Sequence, residues 1–457
     1  MKISLVYDKG SILIYGIGQV PFAIFDPRTN QLRAQALHYS NILSYLDQSD
    51  LQYEDKVLDL IPTQKMSIDE GTKLSLKTYQ KKAISNWINA GKRGCIVLPT
   101  GSGKTIIGIK IIEHTNQPTL IIVPTIELMN QWSKTLSRYF PSITIGNLGG
   151  GEYDLQSITV STYDSAYIKS HLFGNKFSLV IFDELHHLGA PGYRTIAEQL
   201  SCPYRLGLTA TFEREDNYHT KFSKLVGGIV YQSSLKELTK EKHLASFVIE
   251  RRYVKLLSSE MKEYQKYNSL YRSLLKELGI NLGGILGFKK LVFLSGKNKK
   301  ARDALLARNH ALNIALNSKA KINELRKILS NNIGKKTIIF TQHNKLVYNI
   351  SNEFLIPFIT HKSTKQERED VLDRFKTGKY NTIVTSKVLD EGVDVPDAEI
   401  GIIVSGTGSK REYVQRLGRL LRNISNSNKE ARLIELISSE TQEVNTSIKR
   451  KRALKSI

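Results

Sequence analysis

The run Leu98-Pro99-Thr100-Gly101-Ser102-Gly103-Lys104-Thr105 places glycines, hydroxyls and one lysine in an order suited to gripping phosphates. The loop Thr100-Gly101-Ser102-Gly103 lets successive backbone N–H groups wrap around phosphate oxygens. A helix starting there adds partial positive charge, and Lys104 reaches the β and γ phosphates. Thr105 offers a hydroxyl to Mg²⁺. Further along, Leu179-Val180-Ile181-Phe182 ends in Asp183-Glu184-Leu185-His186. An apolar run ending in acids reads as a buried parallel strand that delivers carboxylates to the sheet edge. Asp183 is expected to hold the metal, and Glu184 to orient and deprotonate the attacking water. Together the two segments predict a nucleoside triphosphate site.

The flanking residues supply the elements that both segments require. Gly94-Cys95-Ile96-Val97-Leu98 is strand-like, and Ile106 to Ile112 is long and apolar enough for a buried helix. From Gly71 to Gln232 short β-type runs alternate with helical stretches, which indicates a parallel sheet covered by helices. A second such rhythm begins at Lys336-Thr337-Ile338-Ile339-Phe340 and returns at Thr382 and Ile400, with no second phosphate loop. Two α/β lobes sharing one loop suggest a motor whose cleft closes over the nucleotide. Residues 1–66 carry alternating apolar runs and turn signals, predicting a small mixed domain with hairpins. The first lobe is expected over 67–240, a Lys-rich helical insert with a turn over 256–306, and the second lobe over 307–457. In the insert Tyr264, Tyr267 and Tyr271 recur at helical spacing, and Leu282 to Gly287 marks the turn.

Two further segments bear on the chemistry. Gly207-Leu208-Thr209-Ala210-Thr211 follows the acidic strand, and its hydroxyls could link the catalytic carboxylate or His186 to the other lobe. Near the C-terminus stands Tyr413-Val414-Gln415-Arg416-Leu417-Gly418-Arg419-Leu420-Leu421-Arg422. On a helix Gln415, Arg419 and Arg422 share one face. Guanidiniums there suit the charge on a transferring phosphoryl group, where an arginine finger contributes on the order of 10³ to 10⁵ in rate. A basic helix lying against solvent or DNA has the same pattern.

The chain of 457 residues, enough for about three domains, has 66 Lys and Arg against 43 Asp and Glu, a net charge of +23. That excess favours a polyanionic partner, most simply nucleic acid, although a solvated basic surface is the alternative. Cys95 and Cys202 form no CxxC pair, so neither a disulfide framework nor a zinc site is indicated. No stretch approaches roughly 18 apolar residues, so no membrane partner is expected. A soluble, cytoplasmic protein is the expectation.

In combination these motifs resemble those of a superfamily 2 helicase over most of residues 74–422. The resemblance implies two RecA-like parallel-sheet motor lobes, with ATP and Mg²⁺ as cofactors. Leu76-Lys77-Thr78-Tyr79-Gln80 is similar to the adenine-reading element, with Gln80 on the base edge. Pro124-Thr125 and Ser161-Thr162-Tyr163 match the first-lobe strand-contact motifs, which implies DNA phosphate at Thr125 and Thr162. Thr385-Ser386 and Leu389-Asp390-Glu391-Gly392-Val393-Asp394 resemble the second-lobe motif, which implies DNA at Thr385 and Ser386 and nucleotide at Gly392 and Asp394. Arg214-Glu215-Asp216 resembles the signature of the XPB branch, the DNA repair and transcription helicases, and implies a DNA contact. The insert sits where that branch carries its thumb, with Lys297, Lys299, Lys300 and Arg302 suited to phosphates, although a charge run is also an ordinary solvated face. Residues 1–66 match its damage-recognition domain in position. The compact chain is most like the archaeal form, which implies movement from 3′ to 5′, action on duplex, forked or damaged DNA in nucleotide excision repair, and a nuclease partner.

Other readings stay open. An RNA helicase of the same superfamily shares the motor motifs, but such enzymes more often have His where Gln415 stands. A DNA-binding scaffold with a vestigial motor sits poorly with the full set of Lys104, Asp183, Glu184, Arg419 and Arg422. A transporter-type ATPase rests only on the superficial likeness of Leu294-Ser295-Gly296-Lys297-Asn298 to its signature.

Overall fold

The computed structural model of the chain describes residues 2–69, 74–213, 218–241, 247–281, 285–386, 398–406 and 431–455. Arg214, Glu215, Asp216, Gly392, Asp394, Gln415, Arg419 and Arg422 lie outside the described residues. Those described up to 241 form one compact unit and those from 247 onward a second. Among them no helix is long and apolar enough to cross a membrane.

The first unit begins with a small sheet of β1 (Ile3–Asp8), β2 (Ser11–Tyr15), β3 (Ala23–Asp26), β4 (Gln31–Gln35) and β5 (Tyr53–Lys56) in the order β3-β4-β2-β1-β5. Apolar residues at period two send Leu5, Ile12 and Ile14 to one face, where they pack with Ile42 and Leu46 of α1 (Tyr39–Gln48). The hairpins and the mixed α/β character match the sequence expectation. Polar ties fix this sheet to the lobe that follows: the Tyr7 hydroxyl donates to the Gln199 carbonyl at 3.0 Å, and the Asp59 N–H donates to the Asn175 carbonyl at 3.0 Å.

The lobe carries β6 (Arg93–Val97), β7 (Thr119–Val123), β8 (Ile145–Gly149), β9 (Glu152–Tyr153), β10 (Ile158–Thr162), β11 (Leu179–Asp183), β12 (Tyr204–Thr209) and β13 (Ile229–Gln232). Their order is β13-β6-β12-β11-β7-β10-β8-β9, parallel except for the β8–β9 pair. Strands β7, β10 and β11 are buried along their whole length because helices cover both faces, which requires unbroken apolar runs. The helices that matter here are α2 (Thr78–Asn89), α3 (Lys104–Thr115), α4 (Ile126–Tyr139), α5 (Tyr163–Phe173) and α6 (Arg194–Gln199), with the short α7 (Phe222–Leu225) and α8 (Leu235–Lys240) near β13. Cys95 and Cys202 are free and buried, as their apolar surroundings indicate.

The second unit holds β14 (Phe247–Val254), β15 (Thr337–Phe340), β16 (Phe358–Ile359), β17 (Thr382–Thr385), β18 (Ile400–Ile403) and β19 (Ala431–Ser438) in the order β14-β19-β18-β15-β17-β16, all parallel. Its helices are α9 (Ser258–Glu277), α10 (Ile285–Ser295), α11 (Lys299–Leu316), α12 (Lys319–Ser330), α13 (Asn344–Phe354) and α14 (Lys365–Lys376), with a last helix over Glu443–Lys455. The insert is helical as expected, with Tyr264 and Tyr271 buried. Helix α11 is continuous through residues 306 and 307, because its buried stripe Ala301, Ala304, Ala307, Ala311 and Ala315 continues with no breaker. The turn inside the insert is shorter than expected. Leu286 and Gly287 lie within α10 rather than in a turn.

The second unit also buries charge. Lys321 Nζ donates to both Glu443 carboxylate oxygens at 2.7 and 2.6 Å and to the Val404 carbonyl at 2.9 Å. Glu435 on β19 pairs with Arg251 Nε at 3.0 Å and with Arg450. Removing one member of a pair this buried would strand the other charge away from water, which is costly.

Candidate nucleotide site

Loop 98–103 joins β6 to α3, and its shape follows from its glycines. Gly101 and Gly103 sit at φ +85° and +79°, in the left-handed region that a side chain disfavours. A Cβ on Gly103 would also lie 2.6 Å from Gln80 Nε2. The Ser102 carbonyl is held by two donors from α2, the Tyr79 hydroxyl and Gln80 Nε2. Ser102 Oγ donates to the Pro99 carbonyl at 2.7 Å, and Lys104 Nζ to the Leu98 carbonyl at 3.2 Å. The loop is thus shaped from within; the Ile106 N–H bonds back to the Gly103 carbonyl at 3.0 Å, while the N–H groups of Lys104 and Thr105 at the start of α3 have no intrahelical acceptor.

Asp183 ends β11 next to β12 and carries the most constrained carboxylate of the lobe. Trp132 Nε1 donates to its Oδ2 at 2.8 Å, and the Glu184 N–H donates to its Oδ1 at 2.9 Å. Burial pushes its carboxyl above the ordinary range; the Lys104 ammonium and the two N–H donors oppose that shift. Glu184 follows at φ +46°, a strained backbone for a non-glycine residue, and starts a short 3₁₀ turn. Its Oε2 lies 3.4 Å from His186 Nδ1, which is 3.5 Å from Thr209 Oγ1. Lys104, Asp183, Glu184, His186 and Thr209 therefore gather at the C-terminal edge of one sheet. Thr209 also donates to the Thr211 carbonyl at 2.9 Å, so its strongest contact stays within its own motif.

These residues fit a magnesium–nucleoside triphosphate. The loop presents a buried ammonium and a helix start to anionic oxygens, and the Thr100 hydroxyl is buried with no hydrogen-bond partner among the described residues. Opposite them stands a desolvated carboxylate whose ionised form a cation would stabilise. Among the described residues no cluster of three or more His, Cys, Asp or Glu suggests another metal site.

The other expected contacts have local roles in the fold. Gln80 is buried, and its Oε1 accepts the Lys77 N–H at 2.9 Å while its Nε2 holds Ser102, so both ends of its amide are engaged within the chain. Thr125 and Thr162 are the N-caps of α4 and α5, accepting the N–H of Leu128 and Ser165 at 3.2 Å each. Thr385 and Ser386 are buried at the end of β17, where the Thr385 hydroxyl donates to the Ser386 carbonyl. Lys297, Lys299 and Lys300 are exposed at the α10–α11 turn. Lys300 pairs with Glu277 at 2.9 Å, and Lys297 lies over the Phe293 ring.

Sequence reasoning did not single out Trp132, Tyr79 and Tyr163. The spacing of Met129, Trp132 and Leu136 marks the buried face of α4, but nothing in it says that the indole meets a carboxylate. Arg205 is likewise hidden: it is fully buried and donates to the carbonyls of Cys202, Ala197, Leu225 and Leu200.

Comparison with known proteins agrees with this arrangement. The family model described as the Xeroderma pigmentosum group B helicase damage recognition domain matches residues 5–57, and the ERCC3/RAD25/XPB C-terminal helicase matches residues 306–456. Between them, residues 73–214 match the Type III restriction enzyme, res subunit. The chain is 42% identical to the DNA 3'-5' translocase XPB2 of Sulfurisphaera tokodaii, over 98% of this chain and 99% of that one. It is 31% identical to a putative DNA 3'-5' helicase Rad25 of Haloarcula marismortui, over 82% of this chain and 54% of that longer protein. The solved Hef helicase domain of Pyrococcus furiosus shares the fold, with a TM-score of 0.54 and 20% identity over 82% of this chain and 98% of that one. With near-complete coverage by one relative and matching models at both ends, the chain belongs to the XPB family of helicases.

Proposed function

We propose that this chain is an ATP-driven DNA motor, a helicase or duplex translocase that moves 3′ to 5′ and opens DNA during repair. The observation that carries the reading is the convergence of Lys104, Asp183 and Glu184 at one sheet edge in a chain of the XPB family. Lys104, Thr105 and Asp183 would hold MgATP, which supplies the phosphoanhydride bond to be broken. Glu184 accepts a proton from the attacking water, and the Lys104 ammonium neutralises charge that grows on the phosphate oxygens. Arg419 and Arg422 supply the further cations as fingers, with Gln415 of the same motif. Hydroxyls at Thr125, Thr162, Thr385 and Ser386, with Arg214, Glu215, Asp216 and the lysines of the α10–α11 turn, meet DNA.

Because such contacts fall mostly on phosphates, with the Glu215 and Asp216 carboxylates acting as a wedge or latch and not as an anchor, binding is largely sequence-independent and weakens steeply with salt. The net charge of +23 supports this. A nuclease is the protein partner that the family resemblance implies, and the cytoplasm with its nucleoid is the corresponding location. ATP turnover measured with duplex DNA, single-stranded DNA, RNA and no nucleic acid tests the reading. Stimulation by DNA above RNA is expected. Turnover indifferent to every nucleic acid, or highest with RNA, refutes it.

A further inference from the structure

Two helices converge on Asp183 from opposite faces of the first-lobe sheet, α4 from the face of the Asp183 side chain and α5 from the face that buries Val180 and Phe182. Strands β7 and β10 are neighbours, with Val123 paired to Thr162, so α4 and α5 start at the same edge of the sheet. Each is capped by one of the threonines assigned above to strand contact. From α4, Trp132 donates its indole N–H to the Asp183 carboxylate at 2.8 Å. From α5, the Tyr163 hydroxyl donates to the Asp183 carbonyl at 3.2 Å. That carbonyl belongs to the peptide joining Asp183 to Glu184, whose orientation sets the strained φ of +46° at Glu184.

Both side chains are buried and closely held. The Tyr163 ring stacks on Tyr193 at 5.3 Å between centroids and leans on His187 at 5.7 Å. The Trp132 ring lies so close to α3 that a Cβ on Gly108 would be 2.8 Å from it. Burial and the nearby Asp183 and Glu184 carboxylates raise the Tyr163 hydroxyl well above its usual range, so it remains a donor. Packed interiors shift between discrete arrangements rather than deforming smoothly, so a movement of either helix start reaches Asp183.

We propose that Tyr163, with Trp132 on the opposite face of Asp183, is a positioning residue that couples DNA binding at Thr125 and Thr162 to the carboxylates that drive hydrolysis. This inference rests on the strand-motor reading. A phosphate engaging the α5 start draws on the same turn that holds Tyr163, and the Tyr163 hydrogen bond then settles the Asp183–Glu184 peptide with Glu184 aimed at water. The hydroxyl touches neither nucleotide nor DNA.

The test uses the full chain as wild type, Tyr163→Phe and Trp132→Phe. Readouts are kcat and KM for ATP with and without saturating DNA, DNA Kd by anisotropy, and the thermal midpoint. Tyr163→Phe keeps the stacked ring and removes one oxygen. The fold stimulation by DNA should drop about tenfold, within the usual 5- to 150-fold range of such couplings. DNA Kd and the KM for ATP should stay near wild type, which a merely structural defect would not give. Should Tyr163→Phe prove unstable, Trp132→Phe is judged by the same ratio. Undiminished stimulation in the stable variants overturns the coupling alone, and so does a DNA Kd that weakens in parallel, since Tyr163 would then belong to the binding surface. A wild-type chain that DNA does not stimulate overturns the motor reading and the coupling with it.

Discussion

Gly108→Ala opposes two effects whose signs differ. Position 108 lies inside α3, where Ala is favoured over Gly by about 0.8–1.0 kcal/mol, so local propensity predicts a more stable protein. The new Cβ would fall 2.8 Å from Trp132 Cη2, with Trp132 Cζ3 at 3.5 Å and Leu208 Cδ1 at 3.7 Å. Ordinary carbon contacts begin near 3.5 Å, so the ring must retreat by roughly 0.7 Å. Trp132 is fully buried, and overpacking of this kind costs about 1–3 kcal/mol. The same retreat strains the indole bond to Asp183, a hydrogen bond to a charged group worth about 1.5–3 kcal/mol. The packing terms exceed the propensity gain, so the variant should be less stable by about 1–3 kcal/mol, read by urea unfolding. Its ATPase should also fall. A variant more stable by about 1 kcal/mol with wild-type turnover would refute the reasoning and leave Gly108 a mere weak point in the helix.

The remaining predictions address the site and the second unit. Lys104→Ala should abolish hydrolysis, and Glu184→Gln should bind ATP yet turn it over about 10²- to 10⁴-fold more slowly, as loss of a general base implies; hydrolysis surviving in both removes the proposed site. Arg419→Ala should lower kcat more than it weakens nucleotide binding, and full recovery of kcat at saturating DNA would show that the residue only grips DNA. Replacing Arg214, Glu215 and Asp216 together by Ala should reduce strand opening severely while sparing much of the DNA-stimulated ATPase; unchanged unwinding would mark a solvated loop, and equal loss of both would place the triplet in the hydrolysis machinery. Lys321→Met alone should destabilise the chain by about 3–5 kcal/mol by stranding the Glu443 carboxylate, and adding Glu443→Leu should restore much of that loss. Thermal unfolding of the single and double variants checks this, and equal stability of the two would deny the pair its role.

The chemistry-bearing segments were legible because backbone rules tie them to sequence. Only glycine adopts φ near +80° freely, so Gly101 and Gly103 announce a loop wrapped around an anion before any fold is known. Strand β11 must be apolar along its length because both sheet faces are covered, and this makes Asp183 stand out at its end. The two α/β rhythms, the helical insert and the hairpins of residues 1–66 were read from the same periodicities. Family identity rests on the order of such motifs, which a linear chain preserves.

Tertiary packing alone decided what surrounds them. Besides the neighbouring Glu184 N–H, Asp183 is held by Trp132 and Tyr163, well apart from it along the chain, and no local pattern encodes a hydrogen bond between residues on three different elements. The capping roles of Thr125 and Thr162 depend on where α4 and α5 begin, which the same residue types would also permit on an open surface. The Lys321–Glu443 pair joins α12 to the last helix, and a lysine in that position reads in sequence as one more solvated charge. The extent of α11 was hidden for a related reason: the alanine stripe fixes a helix, but how far that helix runs depends on the neighbours it packs against. Periodicity determines which face of an element is buried, and only the assembled fold determines which side chains meet there.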